Sequence, residues 1–305
     1  LKAPPKNETA QIQNCPPSQC CADDDNNIDA SCWICLDEGL DELGKPLVRD
    51  CSCRGESGFA HLACIITYAQ QKSRCVAASA NGEMSDFIEP WRTCPSCKQL
   101  YVNEVGIDLA TALVTFSESN YNPENNGFHL EALSRKLDAL AWSDQTEDME
   151  ETKKIANKIL SMVQQFKMRN YSPLDGVLQI EAQAHGQLGS VHLKEETKQI
   201  AKAAMKHFER GRDISKAIGI TQDIATAEAN LAMAKLTWMG GSNDERGETC
   251  QEAYNQSLGQ DYEESPITIQ LGMNAAHVLY QAHHVIEAER LFSKIATVSN
   301  RVHGP

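Results

Sequence analysis

The sequence predicts two unlike parts: a small metal-stabilised finger with little regular structure, then an all-α solenoid of helical repeats. Three observations predict it. Eight metal-ligating side chains are bunched in spaced pairs within 31–104. From residue 128 to the end, apolar residues recur at helical intervals. In that second part, short motifs return at steps of 43 to 45 residues.

The chain opens, over 1–30, with Pro-Pro twice and the run Asp23-Asp24-Asp25-Asn26-Asn27, and with almost no large apolar residue. Such a segment cannot bury enough apolar surface to offset its ordering, so a disordered leader is expected there. The finger follows over 31–104. Its pairs read Cys32-x2-Cys35, Cys51-x-Cys53, His61-x2-Cys64 and Cys94-x2-Cys97. Two thiolates so spaced can hold one zinc ion, and four such pairs make two tetrahedral sites. His61 and Cys64, three residues apart, share one face of a helical turn. A segment this short lacks the apolar core to fold alone, so its fold depends on metal. A set of disulfides is the alternative; it needs an oxidising compartment, for which the sequence gives no sign.

The order of four Cys, one His and three Cys occurs in RING-CH (RINGv) fingers of ubiquitin ligases and in PHD fingers that read histone tails. The segment resembles RING-CH. The evidence is the middle, Cys51-Ser-Cys53-Arg-Gly-Glu-Ser-Gly-Phe-Ala-His61, with the flanks Cys32-Trp-Ile-Cys35-Leu and Trp91-Arg-Thr-Cys94-Pro-Ser-Cys97-Lys-Gln-Leu-Tyr101. One departure is the 29 residues between Cys64 and Cys94, longer than usual for that family. The excess, Gln70 to Pro90, is rich in Ala, Ser and Gln and reads as a surface insertion, while Trp91 reads as a core residue.

The resemblance implies interleaved sites: Cys32, Cys35, His61 and Cys64 on one zinc ion, Cys51, Cys53, Cys94 and Cys97 on the other. Both would be closed and structural. It further implies a ligase that holds a ubiquitin-charged conjugating enzyme in a reactive conformation, acting by orientation rather than through a nucleophile of its own. Three positions match the family's contacts with that enzyme: Ile34 in the first knuckle, Pro95 in the last, and Lys98 after the last ligand. The alternative is a zinc-finger adaptor without ligase activity, or a PHD-like peptide reader. Covalent catalysis has little support: of the other cysteines (Cys15, Cys20, Cys21, Cys75, Cys250), Cys75 alone has basic neighbours, Lys72 and Arg74, and no histidine lies near it in sequence.

Between finger and repeats, 105–127 reads as a short helix over Val105 to Phe116 and a polar linker from Ser117 to Gly127. The repeats occupy 128–305. Leu130, Leu133, Leu137 and Leu140 step by three and four, as do Ala156, Ile159, Leu160, Val163 and Phe166. Ser172-Pro173 and Ser265-Pro266 signal helix starts, and Trp238-Met-Gly-Gly241 a helix end. Glu150-Glu-Thr-Lys-Lys-Ile-Ala156 returns as Glu195-Glu-Thr-Lys-Gln-Ile-Ala201; Gln187-Leu-Gly-Ser-Val returns loosely at Asn230 and Asn274. The pattern resembles tetratricopeptide (TPR) repeats of the kinesin-light-chain type, which implies a curved solenoid whose groove recruits a protein or peptide substrate. The first pair, near 128–168, departs most and reads as a cap. His277, His283 and His284 lack a partnering cysteine or carboxylate pattern and read as surface residues.

A net charge of −14, divided between both parts, argues against nucleic acid as a partner. No run of eighteen apolar residues exists, so no membrane span is expected within the chain. A cytoplasmic location is expected, with the nucleus open. The chain starts at Leu1 and stops as a repeat closes, which reads as a truncation, leaving an anchor or targeting signal outside it open.

Overall fold

The computed structural model describes residues 30–51, 53, 58–79, 83–121, 127–141, 146–169, 174–194, 198–234, 242–258 and 266–303. Nearly all of the expected leader lies outside them, as do Ser172-Pro173, Ser265 and Trp238-Met-Gly-Gly241.

In the finger, extended segments meet only as isolated antiparallel bridges among the described residues: Ser31 with Glu38, Val48 with Ala60, and Thr93 with Leu100. Its helix α1 (Leu62–Ala77) follows directly from His61 and buries Leu62, Ile65, Ala69 and Ser73, one face at helical spacing. Here the surface insertion expected over Gln70 to Pro90 is corrected. α1 continues through its first half, and its second half carries the short α2 (Met84–Ile88), whose Phe87 and Ile88 are buried. A polar, Ala- and Ser-rich run reads as a loop, but here small side chains let the segments approach closely. Ser73 sits between them, donating to the Phe87 carbonyl at 2.8 Å and accepting from Trp91 Nε1 at 2.8 Å. Trp91 is buried, as expected.

The stretch read as a short helix and linker is mostly one helix, α3 (Asn103–Asn120). It enters three cores at once. Leu109 closes the finger's small core with Cys32, Ala60, Leu62 and Ile65. Leu113 and Phe116 join Phe87, Trp91 and Ala132 in a cluster flanked by Tyr121 and Phe128. Ile107 and Val114 pack on the first core of the helical array. Tyr121, expected in a polar linker, makes edge-on and tilted contacts with Phe87, Phe116 and Phe128 instead.

The array comprises α4 (Gly127–Leu140), α5 (Thr146–Met168), α6 (Leu174–Lys194), α7 (Lys198–Ile218), α8 (Thr221–Ala234), α9 (Asn243–Leu258), α10 (Pro266–Gln281) and α11 (Val285–His303). Consecutive helices pack as antiparallel neighbours, giving four pairs. The recurring motifs take matching places: Ala156 and Ala201 are both buried, on the second helices of successive pairs, while the Gln187, Asn230 and Asn274 motifs lie on first helices. Among the described residues first helices also touch across pairs, α4 on α6, α6 on α8 and α8 on α10, whereas the second helices show no comparable contact. The array therefore bends with its first helices on the inner side. α3 lies against α4, so the first pair is covered by a helix outside the repeat pattern.

Two measurements check this packing. Phe87→Ala is expected to lower unfolding stability by about 3–5 kcal/mol, the usual loss for a buried aromatic, where a surface insertion would give nearly none; urea denaturation decides. At Gly189 a Cβ would lie 2.5 Å from the buried Phe208 ring. Gly189→Ala should therefore destabilise by about 1–3 kcal/mol despite alanine's better helix propensity, again read from the denaturation midpoint.

Candidate metal centre

Two turns of one design hold the outer ligand pairs. In the first, the Cys32 amide donates to the Asp37 carbonyl at 2.9 Å and the Leu36 amide to the Cys32 carbonyl at 2.8 Å. In the second, the Cys94 amide donates to Gln99 at 2.8 Å and the Lys98 amide to Cys94 at 2.9 Å. Leu36 and Lys98 occupy equivalent places and both lie in the left-handed region, at φ 66° and 62°. Each turn thus folds its chain tightly enough to point both thiols inward. The inner ligands arrive differently. His61 precedes α1 with extended backbone, and Cys64 sits in the helix's first turn. Cys53 is held by Arg49, whose Nη2 donates to its carbonyl at 2.8 Å.

The ligands gather as the resemblance implied. Cys32, Cys35, His61 and Cys64 form one cluster and Cys51, Cys53, Cys94 and Cys97 the other, with donor atoms within 4.8 Å of one another in each. Among the described residues no other group of this kind occurs. His61 Nδ1 lies 3.3 Å from Cys35 Sγ and 3.8 Å from Cys64 Sγ, and Cys53 Sγ lies 3.7 Å from Cys94 Sγ. Around a zinc ion with Zn–S of about 2.3 Å and Zn–N of about 2.0 Å, tetrahedral donors stand about 3.5–3.8 Å apart, within a few tenths of an ångström of these separations, so the donor sets fit it. The sulfur separation is far too long for a disulfide, and the described cysteines are all free. On the other side of the imidazole, His61 Nε2 stands 3.3 Å from the Gly39 carbonyl. A proton donated there leaves the Nδ1 lone pair facing the cluster.

The electrostatics agree. Burial works to raise the Cys32 thiol, but amide donors from Cys35, His61 and Ile34 bring it down to about 7. Cys97 likewise falls to about 7, the Gln99 amide and neighbouring thiols outweighing burial. Burial, then Cys35 and Cys32, push Cys64 up to about 12, and burial drives Cys53 well above the usual thiol range. Each cluster thus mixes ready thiolates with thiols that resist ionising beside them, and a dication is what lets all ionise together. With four protein donors each, both zinc ions would be structural, leaving no position for reacting water.

The other sequence-derived positions divide. Ile34 is half-buried against the core beneath the first knuckle. Pro95 is half-exposed and Lys98 exposed, its amine 3.6 Å from Glu89. A shallow groove of ≈ 190 Å³ brings Pro95 and Lys98 together with Tyr68 and Lys72 of α1. Tyr68 also receives Trp33 of the first knuckle edge-on, at 5.8 Å between ring centroids. The sequence reading did not single out Tyr68; its place on α1, seven residues after His61, was the available signal. Cys75 is exposed on α1, and Cys250 is buried with its thiol raised by burial to about 11. His277 bonds Gln281, and His283, at φ 65°, closes the turn after α10, as expected of surface residues.

Residues 32–80 match the model of the RING-variant domain, RINGv. The match ends before Cys94 and Cys97, which the fold brings back to complete the second cluster. Over 75 residues the chain is 36% identical to the E3 ubiquitin-protein ligase MARCHF5 of Xenopus laevis; this stretch is 25% of the chain and 23% of the relative, so the chain spans about a quarter of the curated relative it matches. Two crystal structures of TPR-like repeats assigned to kinesin light chain from Podosopora anserina align over 80% of this chain and 97% of theirs. Their identities are 12% and 11%, with TM-scores of 0.42 and 0.38.

The interleaving can be read from metal content by mass spectrometry. Cys35→Ser combined with Cys64→Ser should remove one zinc ion per chain. Cys35→Ser combined with Cys53→Ser should remove both, whereas sites built from consecutive pairs would give the reverse pattern.

Proposed function

Because the chain carries a RING-variant domain with both metal clusters complete, we propose that it is a RING-CH-type ubiquitin ligase. Its finger holds a conjugating enzyme charged with ubiquitin. An acceptor lysine amine attacks the enzyme's thioester, an amide forms, and the enzyme's cysteine leaves as the thiol. The finger contributes orientation, not a reacting group.

One observation carries this reading. The two knuckles meet on α1 through Tyr68, which touches Trp33 on one side and shares a groove with Pro95 and Lys98 on the other. A partner seated there would contact Ile34, Pro95 and Lys98 together, with the lysine's charge available to the enzyme or its ubiquitin. The ligase activity of the relative that shares this segment supports the same reading. In this scheme the inner face of the array, made of α4, α6, α8 and α10, recruits the protein substrate, as inward-curving helical arrays do.

The test is single-turnover discharge of ubiquitin from a panel of charged conjugating enzymes onto free lysine. Ile34→Ala and Lys98→Ala should each slow discharge by about ten-fold or more while both zinc ions stay bound. Lys98 is the cleaner probe, since its side chain is 67% exposed. No discharge across the panel by the folded, zinc-loaded protein would replace this reading with a non-catalytic adaptor.

A further inference from the structure

Arg92 stands between two recesses where the finger meets the helices. The first, ≈ 320 Å³, is walled by Leu100 and Val102 of the finger's last extended segment and by Ala110 and Leu113 of α3. The second, ≈ 420 Å³, opens against Met84 and Ile88 of α2. Arg92 and Arg135 line both, with Asp138 in the first and Glu89 and Glu131 in the second, so the recesses form one groove with two arginines at its waist. Leu100 and Val102 are 45% and 48% exposed at the rim. Apolar side chains left open around a concave surface, with a few polar groups converging on it, are the makings of a binding site.

The two arginines differ. Arg135 is spent: Nε and Nη2 both reach Glu131 Oε1, at 2.9 and 2.6 Å, and Nη1 lies 3.2 Å from Asp138 Oδ2. Asp138 also takes the Gln183 amide. Arg92, by contrast, has no carboxylate oxygen within 4.0 Å among the described residues. Arg92 is exposed at the groove, beside Arg135. A guanidinium so placed has its donor fork open, and a carboxylate is the group that fits the fork two-pronged.

We infer that this groove binds a protein segment in which one acidic residue is flanked by apolar ones, its carboxylate on Arg92 and an apolar side chain in each recess. The cation at the waist selects an acidic centre over a neutral or basic one, and the recesses set apolar neighbours on both sides. The second recess also touches Glu89 and Thr93, which line the groove of Pro95 and Lys98. A bound segment would therefore sit beside the surface assigned above to the conjugating enzyme. That the segment belongs to a ubiquitination substrate rests on the ligase reading; the binding itself does not.

The probe is an array of labelled peptides with a central aspartate between varied apolar residues, matched by an identical array centred on asparagine. Binding of the full, zinc-loaded chain is read by fluorescence anisotropy without any conjugating enzyme, so it stands apart from ubiquitin transfer. Aspartate-centred peptides should bind about ten-fold or more tightly than their asparagine partners, the effect of one charge-assisted contact. Arg92→Glu should erase that preference, and Leu100→Asp, which leaves Arg92 intact, should weaken every peptide. Equal binding of both arrays, or a preference surviving Arg92→Glu, would overturn the inference. So would a self-associating chain that Arg92→Glu turns monomeric, since the groove would then belong to a second copy.

Discussion

Thiolates gathered within 4.8 Å of one another repel, and the finger is arranged around that repulsion. Among the described residues its extended segments share no ladder, only single bridges, and its apolar core is a handful of side chains. What draws the pieces together is the demand of eight donors for two dications. The peptide groups are placed to help: in the folded finger, amides of the first knuckle aim at Cys32 and the Gln99 amide at Cys97, and both thiols are lowered. The left-handed backbone at Leu36 and Lys98 follows from the same demand, because a turn tight enough to present two thiols to one point must reverse within a few residues.

A metal-held finger still needs a wall, and α3 supplies it. Leu109 reaches the finger, Phe116 reaches the insertion, and Val114 reaches the array. The insertion contributes from the other side, with Ser73 fastening α1 to Phe87 and Trp91 by two hydrogen bonds. The parts that differ most in composition are thus joined by shared burial.

Much of this was legible in the residues. The ligand ladder could be read because metal chemistry fixes ligand type and spacing so tightly, and the helical array because Leu130 to Leu140 and the Glu150 and Glu195 motifs repeat what packing requires. The insertion was misread because Ala69 and Ser73 are small: a close-packed surface and a loop have the same composition, and the aromatic that makes the difference, Phe87, lies fourteen residues beyond Ser73. Tyr68 and Arg92 were illegible for another reason. Each acquires meaning only from residues brought beside it by the fold: Trp33 and Pro95 for the first, Leu100 and Val102 for the second.

α3 is also a single continuous screw. An α-helix advances about 1.5 Å and turns about 100° with each residue. Between the side chain that meets the finger, Leu109, and the one that meets the insertion, Phe116, lie two turns of that screw, and the array is set by the same phase. Adding or deleting one residue within this helix would leave every local contact type available yet swing the array by roughly a quarter of a revolution about the finger. The length of α3 in this stretch is thus an angle written in residues: an insertion there re-aims one end of the molecule at the other unless it comes close to a whole number of turns.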